Sequence, residues 1–322
     1  MTTLFSEISL LLTDPLMQRA LLAALLVGVS APVVGTYLVQ RKLSLLGDGI
    51  GHVALTGVAL GWLVGAAMGV VPHAALAIPG AVVAAVLGAG AIELVPERGR
   101  TSGDLALALL FYGGIAGGVL LISLAGGSSG SLMQYLFGSI STVTSSDLVL
   151  TVVLSAVILL VGVGLRAALF SVSHDEEFAR ASGLPVRTLN IAVAVVAALT
   201  VTVSMRVVGL LLVSALMIVP VAVAQLVTRS FRRTMLVASV VGVVVCVVGL
   251  SFTYWKNVSP GATIVVLAIA TYLVVAVLRP LWVRRRPRVA RDPHPDIPDD
   301  VELDLVPSGS THRTTGGDPC SA

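Results

Sequence analysis

The sequence predicts an all-α, polytopic membrane helix bundle of about nine transmembrane helices, with eight as the alternative count, its N-terminus outside and its C-terminus cytoplasmic. Three observations predict it. Of the 322 residues, 56% are hydrophobic and only 11% charged, with mean hydropathy +1.00, whereas a soluble domain carries about 25% charged residues. That composition excludes a soluble enzyme. Apolar stretches of ~20 residues, the length a helix needs to cross the hydrocarbon layer, recur along the chain. Lys and Arg gather in alternate connecting segments, as expected when basic residues are retained on the cytoplasmic side.

Taken in order, the opening stretch contains Glu7 and Asp14 and lacks the basic region that begins a signal peptide. The first span, 20–39, is therefore read as a retained helix. The following spans are 50–70, 74–95, 104–125, 147–165, 189–205, 207–228, 234–252 and 261–281. Arg206 parts two of these, which alternatively form one long bent helix. Pro32 and Pro220 lie inside apolar spans and are expected to kink or break them. Gly113, Gly114, Gly117 and Gly118 set small residues four apart, admitting a close neighbour either within the bundle or at a subunit contact. With the N-terminus outside, Arg41, Lys42, Arg98, Arg100, Arg166, Arg180, Arg187, Arg229, Arg232, Arg233 and the arginines from Arg279 to Arg291 fall inside. Only Arg19, Arg206 and Lys256 fall on the opposite face.

Residues 1–283 thus read as one transmembrane domain and 284–322 as a disordered cytoplasmic tail. Six of the 15 prolines and seven of the 17 acids lie beyond residue 283, a composition that cannot bury enough apolar surface to offset its ordering entropy. His294 and His312 lie there without metal-ligand spacing and read as solvated. Cys246 and Cys320 sit in unlike surroundings and suggest neither a disulfide framework nor a metal–thiolate cluster. The arginine bias carries no nucleic-acid inference.

Most acids before residue 284 fall at span ends or in loops. Asp48 does not. It lies in RKLSLLGDGIGHVALTGVALGW, with His52 four residues later, so on a helix the two side chains share one face about a turn apart. Ionisable residues inside a membrane usually line an ion pathway or a water-filled cavity, and a carboxylate with an imidazole is half of a divalent-metal site. The spacing fits a second arrangement equally well, in which Asp48 caps the second helix near the cytoplasmic interface and His52 pairs with it or with a backbone carbonyl.

The loop SVSHDEEFARASGLPVRTLN places Asp175, Glu176 and Glu177 ahead of Ala179 and Gly183. A short helix fits, with acids at its positive N-terminus, Gly183 as its C-cap and Pro185 as its stop. It serves either as a solvated connector or as a docking helix for a cytoplasmic partner. No G-x-x-x-x-G-K-[ST] occurs, so the chain does not bind ATP through a P-loop. Gly127-Ser128-Ser129-Gly130 matches the G-x-S-G of an intramembrane serine protease, but no later span holds a histidine to act as base, and a Gly/Ser loop is the better reading.

Gly47-Asp48-x-x-x-His52 followed by Ala54 and Gly57-Val58-Ala59, Glu177-x-Ala179-x-x-x-Gly183, Val208-Gly209-Leu210-Leu211-Leu212-Val213 through Pro220, and Ser259-Pro260-Gly261-Ala262-Thr263 occur in this order. In these motifs the chain, over about residues 15–281, resembles the permease subunits of zinc and manganese ATP-binding cassette (ABC) importers. The resemblance implies a homodimer in the bacterial plasma membrane, each copy docked on a separate cytoplasmic ATPase subunit and receiving metal from an extracytoplasmic metal-binding lipoprotein. It also implies that Asp48 and His52 contact the metal and that Asp175 to Gly183 form the ATPase-coupling loop. No permanently bound cofactor is expected; the zinc or manganese ion is cargo, and the remaining partner is lipid. Two copies would offer two imidazoles and two carboxylates, a set that suits either metal. The chain departs from the family pattern at Ser139, where relatives often carry an acid, and in the length of its tail. The rival readings are a permease for iron, an iron-chelate or cobalamin, and an ion-driven secondary transporter, which would usually need more intramembrane acids than Asp48.

Overall fold

Asp14 opens the first helix. Its carboxylate accepts the Leu16 amide at 2.9 Å and Pro15 fills the first helical position, where the missing N–H is no loss. The computed structural model describes residues 14–70, 73–94, 103–125, 129–138, 144–256 and 258–284. Its helices are α1 (Pro15–Gln40), α2 (Leu46–Ala67), α3 (Ala77–Leu94), α4 (Gly103–Leu124), α5 (Ser129–Phe137), α6 (Ser145–Gly164), α7 (Arg166–His174), α8 (Glu176–Ala181), α9 (Val186–Val207), α10 (Leu210–Val227), α11 (Phe231–Trp255) and α12 (Pro260–Arg284), with a single 3-10 turn at His73–Leu76. No strand occurs among the described residues. Ser139 lies outside them, as does the expected 284–322 tail except Arg284, which closes α12.

Among the described residues, eight helices are long and apolar enough to cross a membrane, while α3 contributes a shorter apolar run, Ala77–Ile92. The end contacts decide what α3 does. At one end the Tyr37 ring at the close of α1 meets Phe231 at the start of α11, centroids 5.3 Å apart, and Phe231 meets Phe170 of α7 at 4.8 Å. The Tyr37 hydroxyl donates to the Gly162 carbonyl at the end of α6. The chain therefore returns at Gly162 to the end it left at Tyr37, which requires an even number of crossings. The intervening long helices are α2, α4 and α6, and the nine residues of α5 are too few to traverse the bundle, so α3 also runs from one end of it to the other. Its 18 residues reach about 27 Å at 1.5 Å per residue, close to the hydrocarbon thickness of roughly 30 Å.

Burial sorts the helices into centre and rim. In the apolar windows of α1 and α9, 72% of residues are buried, against 17% in α12 and 22% in α4. α1 packs against α11, α10 and α6, and α2 is flanked by α3 and α4. Pro32 and Pro220 break neither helix; α1 and α10 run through them. At Pro32 the neighbouring α11 passes close, with Gly242 against the turn of Gly28 and Pro32.

The pair of spans around Arg206 is two helices and not one bent one. Gly209 takes φ +91°, a value L-residues with a side chain rarely adopt, and separates α9 from α10. This break lies against Phe137 and Gly138 at the end of α5 and against Gly261 at the start of α12. Gly114, Gly117 and Gly118 face α2, while a side chain at Gly113 would enter open space. Three of the four glycines thus serve packing inside the bundle. Asp147, an acid only 6% exposed, closes a capping box with Thr144, and its carboxylate accepts the Thr144 hydroxyl at 2.6 Å and the Thr144 amide at 3.1 Å.

Candidate metal site

Asp48 and His52 lie on the first turns of α2, and the structure brings them together. The helix begins after Leu45, which makes no side-chain capping bond, and Asp48 stands at the third helical position. Asp48 is therefore not the cap, although a carboxylate in the first turn is still favoured by the helix dipole. The His52 Nδ1 lies 3.7 Å from the Asp48 Oδ1. Its hydrogen bond goes instead to the Asp48 backbone carbonyl, at 2.8 Å. A carbonyl oxygen only accepts, so Nδ1 carries the proton and donates. In the neutral ring Nε2 then holds the free lone pair.

Of the two, His52 is set deep. The His52 backbone abuts Gly114, the midpoint of α4: a Cβ there would lie 2.6 Å from the His52 carbonyl carbon and 2.7 Å from the Val53 nitrogen. Counting along α4 at 1.5 Å per residue, His52 lies about 16 Å from either end of that helix. His52 is 5% exposed as a residue, whereas the Asp48 side chain keeps 21% of its surface. The contact with α4 is completed by the Thr56 hydroxyl, which donates to the Gly114 carbonyl at 2.8 Å. The Phe111 ring packs on the imidazole with centroids 4.5 Å apart and planes inclined at 59°.

Among the described residues no group of three or more His, Cys, Asp or Glu side chains converges. One chain thus presents one carboxylate and one imidazole, fewer than the four ligands zinc commonly takes. Sequence reasoning missed Phe111, which packs on the imidazole, and Thr56, which ties α2 to α4, and it named Gly114 only as a site of close approach without its neighbour His52. Phe111 is 59 positions from His52, and no spacing rule connects them.

The loop between α6 and α9 forms as its residues dictate. The Asp175 carboxylate accepts the Phe178 amide at 2.9 Å and caps α8. At the other end the Gly183 amide donates to the Arg180 carbonyl and the Leu184 amide to the Ala179 carbonyl, both at 3.1 Å. This is the paired closure of a Schellman motif, with Gly183 at φ +78°. Ala179 is fully buried, whereas Glu176, Glu177 and Phe178 are exposed. The one-turn helix therefore presents its outer face and is anchored through Ala179. Asp48 and His52 stand apart from this loop in the chain, and among the described residues no hydrogen bond or ion pair joins the two sites.

The sequence pattern of the ABC 3 transport family matches residues 13–279. The manganese transport system membrane protein MntC of Listeria innocua is 32% identical over 265 residues, covering 82% of this chain and 91% of that protein. The chelated iron transport system membrane protein YfeD of Yersinia pestis is 32% identical over 278 residues, covering 86% and 90%. Among solved structures, PsaBC from Streptococcus pneumoniae in complex with Fab superposes with a TM-score of 0.74 at 32% identity, over 84% of this chain and 95% of that one. The match over residues 13–279, the similarity along nearly the whole bundle and the long apolar helices place the chain in the ABC 3 transport family, as a multi-pass ABC transporter permease of the bacterial plasma membrane.

Proposed function

We propose that the chain is the membrane-spanning subunit of an ATP-driven importer for a divalent transition metal, manganese or zinc. In this reading two copies pair in the membrane, each docks on a separate cytoplasmic ATPase subunit, and an extracytoplasmic metal-binding lipoprotein delivers the ion. The observation that carries it is the Asp48–His52 pair: a carboxylate and an imidazole one turn apart, the imidazole at the mid-depth of α4 and its Nδ1 already committed to a backbone carbonyl. Burying such groups in a bilayer is costly and marks an ion route more often than a structural need. The names of MntC and YfeD add that similar chains serve manganese and chelated iron systems.

His52 would contribute Nε2 and Asp48 its carboxylate to an ion held transiently between the two copies, nitrogen and oxygen donors that suit manganese or zinc without a thiolate. Asp175, Glu176, Glu177, Ala179 and Gly183 would form the surface through which the ATPase moves the bundle. The missing P-loop agrees with an energy source on another chain.

Uptake of labelled manganese by the complex with its ATPase tests the reading. Asp48→Ala and His52→Ala proteins that insert normally are expected to lose roughly tenfold or more of their uptake, in line with the loss of a metal contact. Uptake at the unmutated rate would remove both residues from the site. Competition by zinc and by iron(II) in the same assay ranks the cargo.

A further inference from the structure

We infer that Phe111 is a positioning residue for the metal, holding the His52 imidazole so that Nε2 alone is offered to the ion. This rests on the metal-import reading above and names a group that reading does not use. The imidazole is fixed from three directions. Its Nδ1–H donates to the Asp48 carbonyl at 2.8 Å, which sets the tautomer and leaves Nε2 without a hydrogen bond among the described residues. Gly114 allows α4 to lie against the His52 backbone and Cβ, the latter 2.9 Å from where a Cβ of its own would stand, so the side chain has no room to swing toward α4. The Phe111 ring then covers the imidazole at 4.5 Å between centroids and meets the exposed Tyr112 ring edge-on at 5.4 Å.

A ring held this way loses little rotational freedom on meeting the ion, so its binding is not weakened by an ordering step. Removing the aromatic face leaves the Nδ1–H bond to hold the ring without cover on that side, so the imidazole leaves its position more often. The loss therefore falls on binding of the ion and not on the movement of the bundle.

The test is manganese uptake by the full complex, read as KM and Vmax separately. Phe111→Leu is expected to raise KM about tenfold, the range seen when an outer partner of a metal-binding histidine is removed, with Vmax kept within about twofold. Phe111→Tyr, which keeps the ring, is expected to restore KM. Should Leu prevent insertion, Phe111→Met carries the same expectation. Thr56→Val loosens the same α2–α4 contact without touching the imidazole and is expected to lower the thermal midpoint without raising KM. An unchanged KM in Phe111→Leu, or an equal rise in Thr56→Val, overturns the proposal while His52→Ala still abolishes uptake. If His52→Ala transports normally, the metal-import reading of the site is what fails.

Discussion

A hydrogen in place of a side chain at Gly114 is what lets α4 reach the backbone of His52. The atoms a Cβ would strike are main-chain atoms, at 2.6 and 2.7 Å, and cannot rotate aside. Gly114→Ala is therefore expected to destabilise the bundle by about 1–3 kcal/mol, the range for overpacking a tight contact, and to lower manganese uptake with it. One position earlier the side chain would meet nothing within 4 Å. Gly113→Ala should shift stability by less than about 1 kcal/mol, and in the favourable direction, because alanine is the better helix former. Thermal unfolding of the two variants in detergent checks the contrast. Both are glycines in one run, and nothing in the sequence separates them; the difference lies in which face of α4 meets α2.

At the scale of elements, α8 shows how a short helix holds without length. Six residues cannot sustain an isolated helix. This one is closed at both ends, by Asp175 on the Phe178 amide and by the paired bonds around Gly183, and tethered by buried Ala179. Asp175→Ala removes the N-cap for about 1 kcal/mol, roughly a fivefold fall in the ratio of ordered to disordered helix. Gly183→Ala strains a backbone at φ +78° by a similar 1–2 kcal/mol. Both variants are expected to reduce metal imported per ATP hydrolysed while leaving the thermal midpoint of the bundle close to wild type, since α8 lies at the surface. A stoichiometry equal to wild type in both would argue that this loop is only a connector. The acids, Ala179 and Gly183 made this helix legible beforehand, because capping chemistry is local in sequence.

For the whole molecule, the return of α6 to the end where α1 closes fixes the parity of crossings but not which end faces the cytoplasm. The arginine distribution supplies the expected orientation. In a Cys320→Ser background, Arg229→Cys is expected to react with an impermeant maleimide only in inside-out vesicles, and Lys256→Cys only in right-side-out ones. Cys246 is fully buried and should stay silent. The reverse pattern would invert the topology and place the α8 loop on the wrong side for an ATPase.

Composition and the recurrence of apolar runs determined by themselves that this is a helical membrane bundle, since the bilayer leaves a polar backbone few other ways to cross it. The Asp48–His52 pair was equally legible, because its geometry follows from the pitch of one helix. Tertiary structure chose among readings the sequence left open, running α3 through the bundle as the expected 74–95 span and setting Gly209 between two helices, and it alone showed that Phe111 and Gly114 hold His52. Those facts depend on which faces of distant segments meet, and packing between helices joins residues that no local periodicity relates.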